Sequence, residues 1–225
     1  MSKHFALRLW LVLALCAALA TGCQHRSEHA EHRDHDEHSA HSEHAEHDAM
    51  AGEAPRSDLS LYQLDEKWTD EHGRAFELSS LRGSPVVLIL FYGSCQSVCP
   101  TLVRDAQRLD ALLPPVDRAR TRFVLVTIDP TVDTSERLVA YAEEHQLDLE
   151  RWALLNGPPQ QVRELANVLG FRYRPTGTGQ YSHTIRITLL DREGAVADTA
   201  DGLERPLEPL ARRISALLAA QPASG

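Results

Sequence analysis

The sequence predicts an α/β fold, a mixed central sheet flanked by helices. Three observations carry this. Residues 85–92 (PVVLILFY) and 122–128 (RFVLVTI) are near-continuous apolar runs of strand length, the pattern of strands buried on both faces. Each is followed by a segment whose apolar residues recur at helical spacing, giving a strand–helix–strand–helix order. Residues 184–190 and 195–199 then read as an antiparallel pair around a turn at Asp191-Arg-Glu-Gly194, so the sheet is mixed.

The elements follow in order. Residues 59–64 (LSLYQL) alternate in polarity and read as a first strand. Residues 71–74 read as a turn leading to an extended segment at 75–78. After the 85–92 strand, a helix starts near Cys99 or Pro100, since proline suits the first helical position. Leu102, Ala106, Leu109 and Leu113 share its inner face, and Pro114-Pro115 stops it. After the 122–128 strand, Asp133 or Thr134 caps a helix that reaches Glu144, with Leu138 and Tyr141 inward. Residues 152–155 form a short strand. Residues 158–169 are helical, with Val162, Leu165, Ala166 and Leu169 inward and Gly170 as the stop. A last helix over 206–220 carries the stripe Leu210, Ile214, Leu217 and Leu218.

The N-terminal segment reads as an export signal over residues 1–22. Lys3 and Arg8 precede an apolar run over 9–20 that is short for a bilayer span, and Ala20-Thr-Gly-Cys23 follows. This end is similar to a bacterial lipoprotein signal, which implies lipid on Cys23 and a location in the cell envelope, facing the periplasm. Residues 23–57 are then a tether, and residues 58–225 one domain. Of four cysteines, Cys16 leaves with the signal and Cys23 carries lipid, so Cys95 and Cys99 remain as thiols in an oxidising compartment. The formal charge of −9 disfavours nucleic acid as a partner and suits cationic partners or metal ions.

The tether has its own pattern. Eight of the twelve histidines lie between residues 25 and 47, and His29, His32, His35, His38, His41, His44 and His47 recur every third position. The segment has almost no large apolar residue and forms no core. In a polyproline II conformation, three residues per turn would align the seven imidazoles along one edge. Imidazoles among carboxylates suit weak, multiple, pH-dependent metal sites, and affinity order favours copper over zinc or nickel. The plainer alternative is a solvated spacer.

Cys95-Gln-Ser-Val-Cys99-Pro100 sits where the 85–92 strand hands over to a helix. At a helix N-terminus, thiolate is stabilised, and a spacing of four lets both sulfurs face one point. By itself the pair is a metal clasp, a redox couple or a structural staple. Cysteines at this place resemble those of a thioredoxin-like fold. Where that fold carries a cis-proline before the facing strand, this chain reads Ser182-His183-Thr184, which offers an imidazole. Two thiolates and one imidazole make a copper site, for Cu(I) and also Cu(II).

Three segments together, FYGSCQSVCP (91–100), TIDPTVDT (127–134) and Ser182-His183-Thr184, resemble the Sco/SenC family in order and spacing. The resemblance implies a thioredoxin-like copper protein tethered to a membrane. It implies Cys95, Cys99 and His183 as copper ligands, with Asp129 and Asp133 as an acidic motif beside them. It further implies copper delivery to the binuclear copper site of cytochrome c oxidase, or to another periplasmic copper protein. Two features depart from the family: Gln96 follows the first cysteine where proline is usual, and the tether is a lipid and a histidine tract.

Other readings use the same residues. A thiol–disulfide reductase would attack with Cys95 and resolve with Cys99, keeping a partner's copper-ligand cysteines reduced. A peroxidase of the peroxiredoxin type lacks its motif before Cys95. Metal buffering by the histidine tract alone would leave the domain inert.

Overall fold

The computed structural model describes residues 59–220 apart from 65, 66 and 178. The signal segment, Cys23, the histidine tract and the expected boundary at 57/58 lie outside the described residues. Among the described residues no helix is long and apolar enough to cross a membrane.

Five strands form the central sheet in the order β5-β4-β3-β8-β9. They are β3 (Val86–Phe91), β4 (Arg122–Thr127), β5 (Trp152–Leu155), β8 (Arg186–Leu190) and β9 (Val196–Asp201). β3, β4 and β5 run parallel, whereas β8 is antiparallel to both β3 and β9. Parallel neighbours need helical crossovers. These are α1 (Val98–Leu112) with α2 (Pro115–Arg120) between β3 and β4, and α3 (Ser135–Glu144) between β4 and β5. α4 (Pro159–Val168) follows β5, and α5 (Glu208–Ala219) closes the chain and packs on α1. All six residues of β3 are buried, so both faces of the sheet are covered, as its apolar run requires.

Most expected elements form. Leu102, Ala106, Leu109 and Leu113 are buried together on α1. Arg118 donates to the carbonyls of Asp110 and Ala111, satisfying the open end of that helix. Arg151 grips the Asp110 carboxylate with two bonds, of 2.8 and 2.9 Å. Thr134 caps α3, accepting from Arg137 N–H, and Gly170 ends α4 at φ +61°.

Three local expectations are corrected. Residues 59–64 are no strand: Leu61–Gln63 form a 3-10 turn. The Ser60 hydroxyl accepts from Tyr62 N–H, Leu61 N–H donates to Gly194 O, and adjacent Leu61 and Tyr62 are both buried. The alternation had no strand to pair with. Pro114-Pro115 stops α1 but also opens α2, with Pro115 at its first position. The expected strand 184–190 begins only at Arg186. The residues before it form a separate ribbon, β6 (Tyr173–Pro175) paired antiparallel with β7 (Tyr181–His183).

A second ribbon, β1 (Trp68–Thr69) with β2 (Ala75–Phe76), locks onto the sheet edge. Thr69 exchanges backbone bonds with Asn156, and Glu71 accepts from Leu154 N–H of β5. Trp68 lies buried against Gly157, where a Cβ would stand 2.6 Å from the indole ring. Gly157→Ala is therefore expected to destabilise the fold by about 1–3 kcal/mol, as overpacking does. Urea denaturation checks this; an unchanged midpoint would refute the close approach.

Candidate metal centre

β3 delivers the chain to Tyr92, and Cys95 N–H donates back to Tyr92 O at 3.2 Å, which turns the backbone towards α1. α1 starts without a side-chain cap: Ser97 occupies the N-cap position but makes no capping bond. The Cys95 sulfur takes that place, accepting Cys99 N–H at 3.4 Å. The first-turn N–H groups of a helix lack internal partners and favour negative charge, so this geometry supports a thiolate. Burial pushes the Cys95 thiol up, but the Cys99 and Ser97 N–H groups, with the Tyr92 hydroxyl dipole beside them, outweigh it and bring the value down to about 7. Cys99 is fully buried in the first turn of α1. Burial, with the neighbouring Cys95 charge added, holds its thiol well above the ordinary range. The two cysteines are free thiols in this structure.

His183 arrives at the end of β7, 84 residues from Cys99, with Nε2 3.7 Å from Cys99 Sγ. Its Nδ1 lies 2.7 Å from Thr184 O. A carbonyl only accepts, so Nδ1 carries a hydrogen, and Nε2 is the ring atom turned towards the sulfurs. Phe171 stacks near-parallel to the imidazole at 5.8 Å, and Tyr92 meets it edge-on at 5.7 Å. The sulfurs of Cys95 and Cys99 and a ring nitrogen of His183 all lie within 4.8 Å of one another. Donors 3.7 Å apart can both reach one ion at bond lengths of about 2.0–2.3 Å. Two soft sulfurs and an imidazole, partly screened from water, fit a thiophilic transition metal and not a hard cation.

Asp133 lies under this centre and is buried. Its Oδ2 accepts from Gly93 N–H at 2.8 Å and from the Thr127 hydroxyl at 2.5 Å, while Oδ1 has no partner. A Cβ on Gly93 would stand 2.8 Å from that Oδ1, so the cysteine segment passes here only as glycine. Asn156 donates to the carbonyls of Pro130 and Asp133, fastening the 129–133 turn to β5. Burial raises the Asp133 carboxyl, more than the Thr127 and Gly93 bonds lower it. Asp129 heads the same turn, its carbonyl accepting from the N–H groups of Val132 and Asp133. Burial, with the Asp129 charge adding to it, raises the Tyr181 phenol on the histidine ribbon.

The structure thus joins Cys95, Cys99 and His183, with Asp133 supporting the cysteine segment and Asp129 nearer the histidine ribbon. Sequence reasoning missed Tyr92, Phe171 and Tyr181. Gly177 and Gly179 mark a turn between Tyr173 and Tyr181, but the flanking strands of three residues are too short for a strand pattern to register.

A dithiol at the start of a helix that follows a central strand of a mixed sheet, faced by an imidazole on a short ribbon, defines a class of thioredoxin-like proteins with a candidate metal centre. Within it, the SCO1/SenC family model matches residues 61–219, and the chain belongs to that family. A Stutzerimonas stutzeri protein named for copper binding is 27% identical over 148 residues, covering 61% of this chain and 71% of that protein. Copper-bound ScoI of Bradyrhizobium japonicum has the same fold, with a TM-score of 0.55 at 24% identity over 68% of this chain and 97% of that one. So has BsSco, described as a member of the Sco family of cytochrome c oxidase assembly proteins, with a TM-score of 0.62 at 20% identity over 74% and 99%.

Two measurements follow from these environments. Alkylation of the reduced chain by iodoacetamide should map to Cys95 and accelerate with pH around a midpoint of about 7; preferential labelling of Cys99 would contradict the assignment. For Asp133, the folded pKa is raised above the unfolded value of about 3.9. The folded chain therefore holds this proton more tightly, and the associated stability is full below pH ~3.9 and lost as pH rises through the folded pKa. Asp133→Asn cannot ionise. Its unfolding free energy should gain on that of the wild type as pH rises from about 4 towards neutrality, and an opposite slope would refute the buried-carboxyl account.

Proposed function

We propose that this protein binds copper as cargo through Cys95 Sγ, Cys99 Sγ and His183 Nε2 and delivers it during assembly of the binuclear copper site of cytochrome c oxidase. The observation that carries this is the convergence of three donors of the right softness from two distant parts of the chain. Copper named or bound in two relatives and the assembly role named for a third support it. The bond from Nδ1 to Thr184 O orients the ring so that Nε2 is the atom facing the sulfurs.

A second reading has its own support, the split between the two thiols. Cys95, lowered to about 7, is poised to attack a partner disulfide, and Cys99, held protonated by burial, to resolve it. Cys95 thiolate would bond to one partner sulfur and release the other. Cys99, after losing its proton, would then displace the second partner thiol and leave a Cys95–Cys99 disulfide. In this reading His183 is dispensable.

The tether belongs to the proposal. Lipid on Cys23 would hold the domain at a bacterial membrane facing the periplasm, and His29, His32, His35, His38, His41, His44 and His47 would gather metal weakly nearby.

The test is Cu(I) competition on the reduced full-length chain, with a chelator strong enough to strip the histidine tract. One tightly held copper is expected, lost in Cys95→Ser, Cys99→Ser and His183→Ala. Tight copper retained in His183→Ala, together with undiminished disulfide reduction, would turn the assignment to the reductase.

A further inference from the structure

We propose that Tyr92 is the positioning residue for His183: its hydroxyl pins the β6–β7 ribbon to the cysteine segment and so sets the distance of the imidazole from the sulfurs. This rests on the copper reading only for its effect on metal; the pinning itself is a property of the free protein.

Tyr92 touches both halves of the centre. Its carbonyl accepts Cys95 N–H, holding the turn that leads to the cysteines. Its hydroxyl donates to Gln180 Oε1 at 3.0 Å and accepts Tyr181 N–H at 3.4 Å, across 88 and 89 residues. Its ring lies edge-on to Tyr181 at 5.2 Å and to His183 at 5.7 Å. The ribbon needs such support. Its strands are three residues each, and a two-stranded hairpin of that size is marginal in water. Its tip carries Gly177 and Gly179 at φ +96° and +69°, and Thr176 closes it by donating from its N–H and its hydroxyl to Gln180 O. β7 ends at His183, so the contacts of Tyr92 with Gln180 and Tyr181 lie within three residues of the imidazole.

The Tyr92 hydroxyl also favours the Cys95 thiolate, so a test must separate the two effects. Tyr92→Phe keeps the ring and removes the hydroxyl. Gln180→Ala removes only the exposed partner on the ribbon and leaves the hydroxyl beside Cys95.

Amide hydrogen–deuterium exchange on the metal-free full-length chain reads the pinning directly. Peptides covering 173–183 should exchange about 2- to 10-fold faster in Tyr92→Phe, as the loss of one or two net hydrogen bonds implies. Peptides of β3 and β4 should not change. Copper competition reads the consequence. Tyr92→Phe should weaken copper about 10-fold, the low end for a group supporting a ligand, and Gln180→Ala should weaken it less. Unchanged exchange at 173–183 in Tyr92→Phe, or unchanged copper affinity in that variant where the wild type binds copper tightly, overturns the proposal. If the wild type holds no tight copper, the copper reading falls, and the exchange result alone then decides whether Tyr92 pins the ribbon.

Discussion

A helix must satisfy its first N–H groups, and in α1 a sulfur does this work. Cys99 N–H finds Cys95 Sγ where a serine or aspartate side chain would ordinarily sit, and Ser97 at the N-cap position leaves its hydroxyl out of the bond. The spacing of the two cysteines, the partial negative charge sought by the helix end and the burial of Cys99 are all tied to this contact. A carboxylate in the capping role would stabilise the helix but place no soft donor there. The chain thus combines helix initiation and ligand placement in one atom, and the two thiols differ because one caps the helix and the other lies within it.

Beneath that contact the chain keeps a feature that is unfavourable by itself. Asp133 is buried, and one of its oxygens lacks a partner. Its other oxygen joins Gly93 of the cysteine segment to Thr127 at the end of β4, and its carbonyl is held by Asn156. Three neighbouring parts of the sheet edge therefore meet at one residue. The close approach of its Oδ1 explains why position 93 carries no side chain. The two acids of the 127–134 segment, both buried, differ in what they touch: Asp133 holds Gly93 of the cysteine segment, and Asp129 lies towards the histidine ribbon.

The frame was legible in the sequence where burial on two faces forces a continuous apolar run, as in β3 and β4, and where a helix buries one stripe, as in α1, α4 and α5. It was not legible where a short segment is fixed from a distance. Residues 59–64 alternate like a strand, yet Leu61 and Tyr62 are buried side by side in a 3-10 turn anchored on Gly194. The ribbon bearing His183 was missed because its strands are too short for a period to register and because its anchor, the Tyr92 hydroxyl, lies 88 residues away. The three converging donors carry a signal in residue chemistry: two cysteines at a strand–helix junction and a histidine just ahead of a late strand. The cap made by sulfur, the carbonyl that orients the imidazole and the unpartnered oxygen of Asp133 are relations of distance that only the folded chain displays.

His183 reaches Cys99 across 84 residues, just over half of the described residues. No short stretch of the chain contains the whole centre. A growing polypeptide presents the cysteines first, and the imidazole joins them only when the ribbon after α4 has folded back. An ion held by all three donors would close that long loop, restraining the unfolded chain much as a covalent cross-link does. In the copper reading, cargo and fold would be thermodynamically linked: an ion bound by all three donors would favour the folded chain over the unfolded one.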